Sequence, residues 1–389
     1  MSYYEEIFIH RPYLTDLDLT NFPESPSYII DEEALERNMR ILKSVKDATD
    51  CKILLALKGF ANYKAFPLMR KYLDGCCASS LWEARLAREE FDKEVHSYAP
   101  AYAPEEFAEI ANLSDHIVFN SPQQIEKYKD QIAGKEYGLR INPEHSETEV
   151  ELYNPCSNLS RLGSKASDLE GVNLAGLSGL HLHTLCQKGA DALERTVMVF
   201  EQKFGYLLKD LKWLNLGGGH HISQVDYDLD LLIKIIKHFK TKYDLQIYLE
   251  PGEAAAINTG SLLCSVLEVF KSGGENHLIL DISATCHMPD VLEMPYRPDI
   301  RGAAEAGEKK YTYRLGGTSC LAGDTIGEYS FDRELKAGDR LLFDDMSHYT
   351  MVKTTFFNGI KHPSIYLHNK EKENVLLRKF SYEDYRAKL

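Results

Sequence analysis

The stretch Lys52-Ile-Leu-Leu-Ala-Leu-Lys58-Gly59 decides how this chain is read. A short apolar run bounded by polar residues marks a strand buried on both faces, as in a parallel sheet. A lysine at its C-terminal end points out of the apolar layer into whatever cleft the fold builds there. So placed, it loses its proton more readily than a solvated lysine and can form a Schiff base with an aldehyde. The plainer alternative is a lysine that ends a strand and pairs with a surface carboxylate. The choice depends on what the other strand ends bring beside it.

Upstream, Ser27-Tyr-Ile-Ile30 reads as a strand. Asp31 caps an amphipathic helix from Glu32 to Leu42, with Ala34, Leu35, Asn38, Met39 and Leu42 on one side. Downstream of 52–58, strand-like runs fall at 75–80, 95–99, 116–120, 137–142, 177–184, 213–216 and 246–250. Helical patterns separate most of them, at 63–72, 81–91, 104–113, 122–131, 190–204 and 229–242. Eight strands in βα alternation predict the α/β class and a (β/α)8 TIM barrel over residues 31–256. A barrel of this kind carries its active site at the C-terminal strand ends. Those ends hold Lys58, Ser79, Ser80, Asn120, Asn142, His181 to Thr184, Gly217 to Gly219 and Glu250 to Gly252.

Beyond residue 256 the pattern changes to β segments joined by glycine-rich turns, at 261–269, 277–281, 311–315, 340–343 and 349–354. They predict a C-terminal β-sandwich or barrel-like domain, joined by the N-terminal strand, so that this domain is made of residues 1–30 and 257–389. The net charge of -14 argues against a nucleic-acid partner and is compatible with a cationic substrate. None of the eight cysteines forms a C-x-x-C pair, no apolar run approaches a membrane span, and the first residues lack a signal-peptide pattern. The expectation is a reduced, soluble, cytoplasmic protein.

Four motifs carry chemistry. Asn215-Leu-Gly-Gly-Gly-His-His221 follows the seventh strand, and three consecutive glycines either cradle a phosphate on backbone N–H groups or make a tight turn. Gly179-Leu-His-Leu-His-Thr-Leu185 puts His181 and His183 on one side of a strand, as a metal pair or as a ring packed on a planar cofactor with Thr184 near its phosphate. Gly316 to Gly327 is a loop with Cys320 among glycines and hydroxyls, a setting that suits a reactive thiol. Asp344-Asp-Met-Ser-His-Tyr349 sets acidic groups and a tyrosine beside an expected strand.

Ala56-Leu-Lys58, His181, Gly217-Gly-Gly219, Glu250-Pro-Gly252, Gly317-Thr-Ser-Cys320 and Tyr349 occur in the order of the alanine-racemase-fold decarboxylases, which use pyridoxal 5'-phosphate (PLP). These are the ornithine, arginine and diaminopimelate decarboxylases and their relatives, and the resemblance covers nearly the whole chain. Within the family it is nearest to the carboxynorspermidine and carboxyspermidine decarboxylase branch. That resemblance rests on Leu55-Ala-Leu-Lys-Gly-Phe60, Glu151-Leu-Tyr-Asn-Pro-Cys156, Gly218-Gly-His-His221, His287-Met-Pro-Asp290 and Cys320-Leu-Ala-Gly-Asp324. It implies a homodimeric carboxy-lyase of polyamine biosynthesis that makes norspermidine or spermidine.

By the resemblance, Lys58 holds PLP, His181 stacks on its ring and Glu250 pairs with the pyridine nitrogen. Gly218, Gly219, Thr184 and Tyr349 serve the phosphate, and Cys320 of a second subunit is the general acid. Asp290, Asp324 and Glu253 are the carboxylates expected at the cationic substrate, with no metal. Glu253 departs from the ornithine decarboxylases, which carry an arginine there; a carboxylate repels phosphate unless turned away. Arg297 and Arg301 keep diaminopimelate open as a substrate, since a second carboxylate wants an arginine. A barrel metallohydrolase using His181, His183, His220 and a carboxylate stays open too, but it leaves Lys58, the glycines and the second domain unexplained. A non-catalytic PLP-binding barrel would leave out the β domain with Cys320 and Tyr349, and a racemase would need a tyrosine where Cys320 stands.

Overall fold

The computed structural model describes residues 17–148 and 154–389. Glu151-Leu-Tyr153, from the Glu151–Cys156 stretch that carries the branch resemblance, and the first residues of the chain lie outside the described residues. The chain forms two compact units. One is Asn38–Ala255; the other joins the described residues up to Arg37 to Ala256–Leu389.

Strand β1 (Ser27–Asp31) belongs to the second unit. Asp31 Oδ1 accepts from Ala34 N at 3.1 Å and starts the helix Glu32–Thr49. Then β2 (Lys52–Ala56), β3 (Gly75–Ala78), β4 (Glu94–Tyr98), β5 (His116–Phe119), β6 (Glu136–Arg140), β7 (Gly179–His181), β8 (Trp213–Asn215) and β9 (Gln246–Leu249) close into a barrel. Every pairing is parallel, and β9 returns to β2 with Tyr248 opposite Lys52. All eight strands overlap the runs that predict them; seven are shorter, and β4 keeps its length but begins one residue earlier. The expected strand through Lys58 stops at Ala56, where Gly59 N bonds back to Ala56 O and the chain turns. Gly59 is required there, because a Cβ would fall 3.0 Å from Gly252 Cα.

The helices Pro104–Leu113, Ala190–Phe204 and Leu229–Tyr243 cover the barrel with their apolar sides. Leu193, Val197, Phe200 and Phe204 of one are buried with Leu232, Ile236 and Phe239 of the next, and Phe200 and Phe239 meet at 6.0 Å. Each such side chain contributes about 1.5–3 kcal/mol when fully buried. At the N-terminal end of the barrel Trp213 packs with Leu54, Val118 and Tyr248. The strands beside it carry glycine for that reason: a Cβ on Gly179 would sit 2.0 Å from Trp213 Cδ2, and one on Gly138 2.2 Å from its Cη2.

The second unit is an eight-stranded mixed sheet. Its later strands are β10 (Gly260–Ser272), β11 (Glu275–Leu280), β12 (Tyr311–Gly316), β13 (Thr325–Phe331), β14 (Arg340–Phe343), β15 (Ser364–His368) and β16 (Asn374–Arg378). The order is β13-β12-β11-β10-β1-β15-β16, with β14 also on β10. The N-terminal strand is therefore central, antiparallel to β10 and parallel to β15. Leu262, Val266, Leu278, Leu280, Tyr313, Leu315, Tyr329 and Phe343 make its core.

Sequence reading passes over β13, β15 and β16. β13 mixes glycine, glutamate and serine with its apolar residues, and β16 is almost wholly exposed, so neither shows a continuous apolar run that ends up buried. The strand expected at 349–354 is instead a series of turns, opened by Tyr349 at φ 48. No helix among the described residues is long and apolar enough to cross a membrane.

Candidate active site

The C-terminal ends of β2, β7, β8 and β9 bring one polar group together. Lys58 lies in the turn after β2, with Nζ 3.4 Å from His183 Nε2. Burial pushes its amine below the ordinary lysine value; Cys77, Glu250 and Glu83 oppose this and Arg140 adds to it. His181 ends β7 and its Nε2 lies 3.0 Å from Glu250 Oε2, both side chains buried. Burial also lowers the His181 pKa, so the neutral ring donates through Nε2 to the carboxylate. Burial opposes ionisation of Glu250, but His181 and the Asn215 amide outweigh it and hold its pKa at about 2.

Asn215 ties the ends of β8 and β9 together. Its Nδ2 donates to Glu250 Oε1 at 2.6 Å, and its Oδ1 accepts from Gly217 N at 2.8 Å. It orients both the acid and the glycine loop, a role that nothing in the local sequence signals. The loop itself admits only glycine. A Cβ on Gly218 would lie 2.2 Å from Glu250 O, and Gly217 and Gly219 adopt φ of 69° and 84°. Gly218 N donates to His183 Nδ1 at 3.0 Å, and Thr184 is buried beside that ring. Arg140, also passed over in sequence, ends β6, donates to His183 O at 2.8 Å and stacks on Tyr98 at 4.7 Å.

A lysine of lowered pKa at the barrel mouth, a close-packed glycine loop and an anionic glutamate suit a phosphorylated aldehyde with a basic ring nitrogen. The sequence profile described as "Pyridoxal-dependent decarboxylase, C-terminal sheet domain" matches residues 14–347. The chain belongs to the pyridoxal-dependent decarboxylases.

The carboxynorspermidine/carboxyspermidine decarboxylase of Campylobacter jejuni is 45% identical over 93% of this chain and 97% of its own. The carboxyaminopropylagmatine decarboxylase of Synechocystis is 47% identical over 95% and 96%. The crystal structure of the Campylobacter jejuni carboxynorspermidine decarboxylase complexed with norspermidine superposes at a TM-score of 0.89, with 44% identity, covering 94% of this chain and 100% of that one. Diaminopimelate decarboxylase shares the fold at a TM-score of 0.80 and 19% identity, over 93% of both chains.

As a pyridoxal-dependent decarboxylase the protein is a carboxy-lyase that uses PLP. Of the metallohydrolase set of His181, His183, His220 and a carboxylate, the ring nitrogens of His181 and His183 lie with a Glu250 oxygen within 4.8 Å of one another, whereas His220 Nδ1 lies 2.6 Å from the Tyr227 hydroxyl. That cluster lies at the C-terminal strand ends beside Lys58. Glu253 is turned to Gln187 Nε2, at 2.9 Å, and His221 Nε2, at 3.3 Å.

In the second unit, Cys320 is exposed, and its N–H is held by Asn358 Oδ1 at 2.7 Å. Asp290 is ion-paired with Lys353, as is Glu293. Asp324, expected at the substrate, is buried and accepts backbone N–H bonds from Ala284 at 2.7 Å, Thr285 at 3.4 Å and Ser319 at 3.1 Å. Those contacts make it an anchor of the Cys320 loop. The arginines that kept diaminopimelate open are also engaged: Arg301 Nη2 reaches Asp344 Oδ1 at 2.6 Å, and Arg297 lies 3.8 Å over the Tyr329 ring.

Proposed function

We propose that this enzyme decarboxylates carboxynorspermidine, carboxyspermidine or both, giving norspermidine or spermidine, and that it works in the cytoplasm as a homodimer. The observation that carries the substrate class is the 45% identity, over nearly the full length of both chains, to a relative named for those two substrates. A solved neighbour that holds norspermidine agrees with it.

Lys58 Nζ would hold the cofactor through its aldehyde. The Gly218 and Gly219 N–H groups, with the Thr184 and Tyr349 hydroxyls, take its phosphate. Glu250 keeps a proton on the ring nitrogen, and His181 covers one face of the ring. PLP, when bound, supplies the electron sink for the pair left by departing CO2. Cys320 from a second subunit delivers a proton to the carbon that lost CO2. Asp290 and Glu253 receive the cationic tail, each exchanging its present partner for a substrate nitrogen, while Asp324 acts only by anchoring the loop of Cys320.

A second reading, carboxyaminopropylagmatine, is favoured by the 47% relative. Assays of CO2 release from carboxynorspermidine, carboxyspermidine, carboxyaminopropylagmatine and meso-diaminopimelate decide between them. The proposal expects the highest kcat/KM with one of the first two. A preference for the third moves the tail group to a guanidinium, and turnover of diaminopimelate alone overturns the polyamine assignment. Cys320→Ala should keep the cofactor and slow or divert product protonation.

A further inference from the structure

His183 sits between Lys58 and the glycine loop and has no part in the reaction as proposed. Gly218 N–H donates to His183 Nδ1 at 3.0 Å, so that nitrogen carries a lone pair, and in a neutral ring the proton resides on Nε2. Nε2 then faces Lys58 Nζ at 3.4 Å. Two N–H donors cannot satisfy one another. The contact is made only when the lysine nitrogen offers a lone pair, which means a neutral amine.

The ring has little freedom to leave. A Cβ on Gly217 would fall 2.9 Å from His183 Cα and Cβ, so the loop packs directly on this residue. Arg140 holds the His183 carbonyl from the other side. The titratable and charged groups facing Lys58 and His183 are Cys77 of β3, Glu83 of the helix Leu81–Leu86, Arg140 of β6, His181 of β7, His220 of the glycine loop and Glu250 after β9. Burial, then Lys58 and Arg140, disfavour an imidazolium at His183.

From this geometry we propose that His183 is a positioning residue for Lys58. Its fixed Nε2–H tautomer holds the lysine of the cofactor-free protein as a neutral amine, ready to capture the PLP aldehyde. In capture, the amine lone pair attacks the aldehyde carbon, C=N replaces C=O, and both amine protons leave with the oxygen as water. A protonated amine has no lone pair to begin with, so the rate follows the neutral fraction. The inference rests on the assignment of Lys58 as cofactor carrier, and the experiment separates the two.

The full chain, stripped of cofactor, is mixed with PLP across a range of pH. Capture is followed by visible absorbance and confirmed at Lys58 by mass after borohydride reduction. The wild-type profile should have its midpoint below that of an ordinary lysine. His183→Ala should slow capture at neutral pH about tenfold and move the profile up by about one pH unit. His183→Gln should recover most of this, because its amide offers both an acceptor and an N–H donor. A merely structural role would slow capture equally at every pH. An unshifted His183→Ala profile overturns the inference and leaves the carrier assignment standing; failure of the wild type to capture at Lys58 overturns that assignment. If His183→Ala does not fold, the ring nitrogen resonances of His183 in the cofactor-free wild type decide. An Nδ1–H tautomer or an imidazolium overturns the proposal, and the Nε2–H tautomer supports it.

Discussion

Lys52 and Lys58 belong to the two ends of one strand, and what each meets separates scaffold from chemistry. Lys52 opens β2, pairs with Glu94 and lies 5.6 Å over the Tyr248 ring. Around it the barrel floor is made of paired side chains: His116 stacks on Trp213 at 5.0 Å, its Nε2 lies 3.2 Å from Glu136, and His96 Nε2 lies 3.4 Å from Glu94. Lys58, two residues past the other end, meets a ring nitrogen of His183, a ring that accepts from an amide of the glycine loop on its far side. Both ends hold lysines, histidines and glutamates. At the floor the glycines make room for an indole, and at the mouth they let the loop pack against Glu250 O and His183.

Exchanging the lysines is the strongest test of this contrast. Lys58→Ala should lower decarboxylation by at least about 1000-fold and abolish the cofactor's visible band, which a spectrum and a CO2 assay will read. Lys52→Ala should leave turnover within about twofold and cost no more than about 1 kcal/mol of stability, because its ion pair is partly exposed. Comparable losses of activity would erase the distinction.

The glycines sharpen the comparison. Gly218→Ala, which puts a Cβ against Glu250 O, should weaken PLP binding on the order of tenfold by distorting the cradle. Gly179→Ala, which drives a Cβ into Trp213, should leave cofactor affinity unchanged and cost about 1–3 kcal/mol in denaturant unfolding.

The smallest expected effect concerns pH at the floor. Burial lowers the His116 pKa to about 3. The unfolded chain therefore takes up a proton between pH 6.5 and 3 that the folded chain refuses. Stability is lost as pH falls through that window and is unaffected above it. His116→Gln should reduce the slope of unfolding free energy there by up to about 1.4 kcal/mol per pH unit. An unchanged slope would mean that the floor histidine is not held neutral.

Much of the site is legible along the chain because barrel geometry is periodic. Eight apolar runs, each followed by a small or reactive residue, place Lys58, His181, the glycine loop and Glu250 at one mouth before any contact is known. Asn215, Arg140 and Tyr98 escape such reading, because their roles consist of single hydrogen bonds or stacking across 22 to 43 residues of sequence or more. Asp324 is expected at the substrate because it shares a motif with Cys320, and only the fold shows that its carboxylate also accepts the Ala284 and Ser319 N–H groups and so anchors that loop.

By itself, then, the sequence determined the barrel, the second β unit and the residue types of a PLP site, since hydrophobic period and backbone permissiveness are local properties. Only the tertiary structure decided which protons and lone pairs those residues present to each other. Gly218 N–H sets the His183 tautomer, His181 and Asn215 hold Glu250 as an anion, and Lys58 faces a neutral ring where Lys52 faces a carboxylate. Hydrogen-bond direction and desolvation depend on partners that only folding brings within 3.5 Å or so.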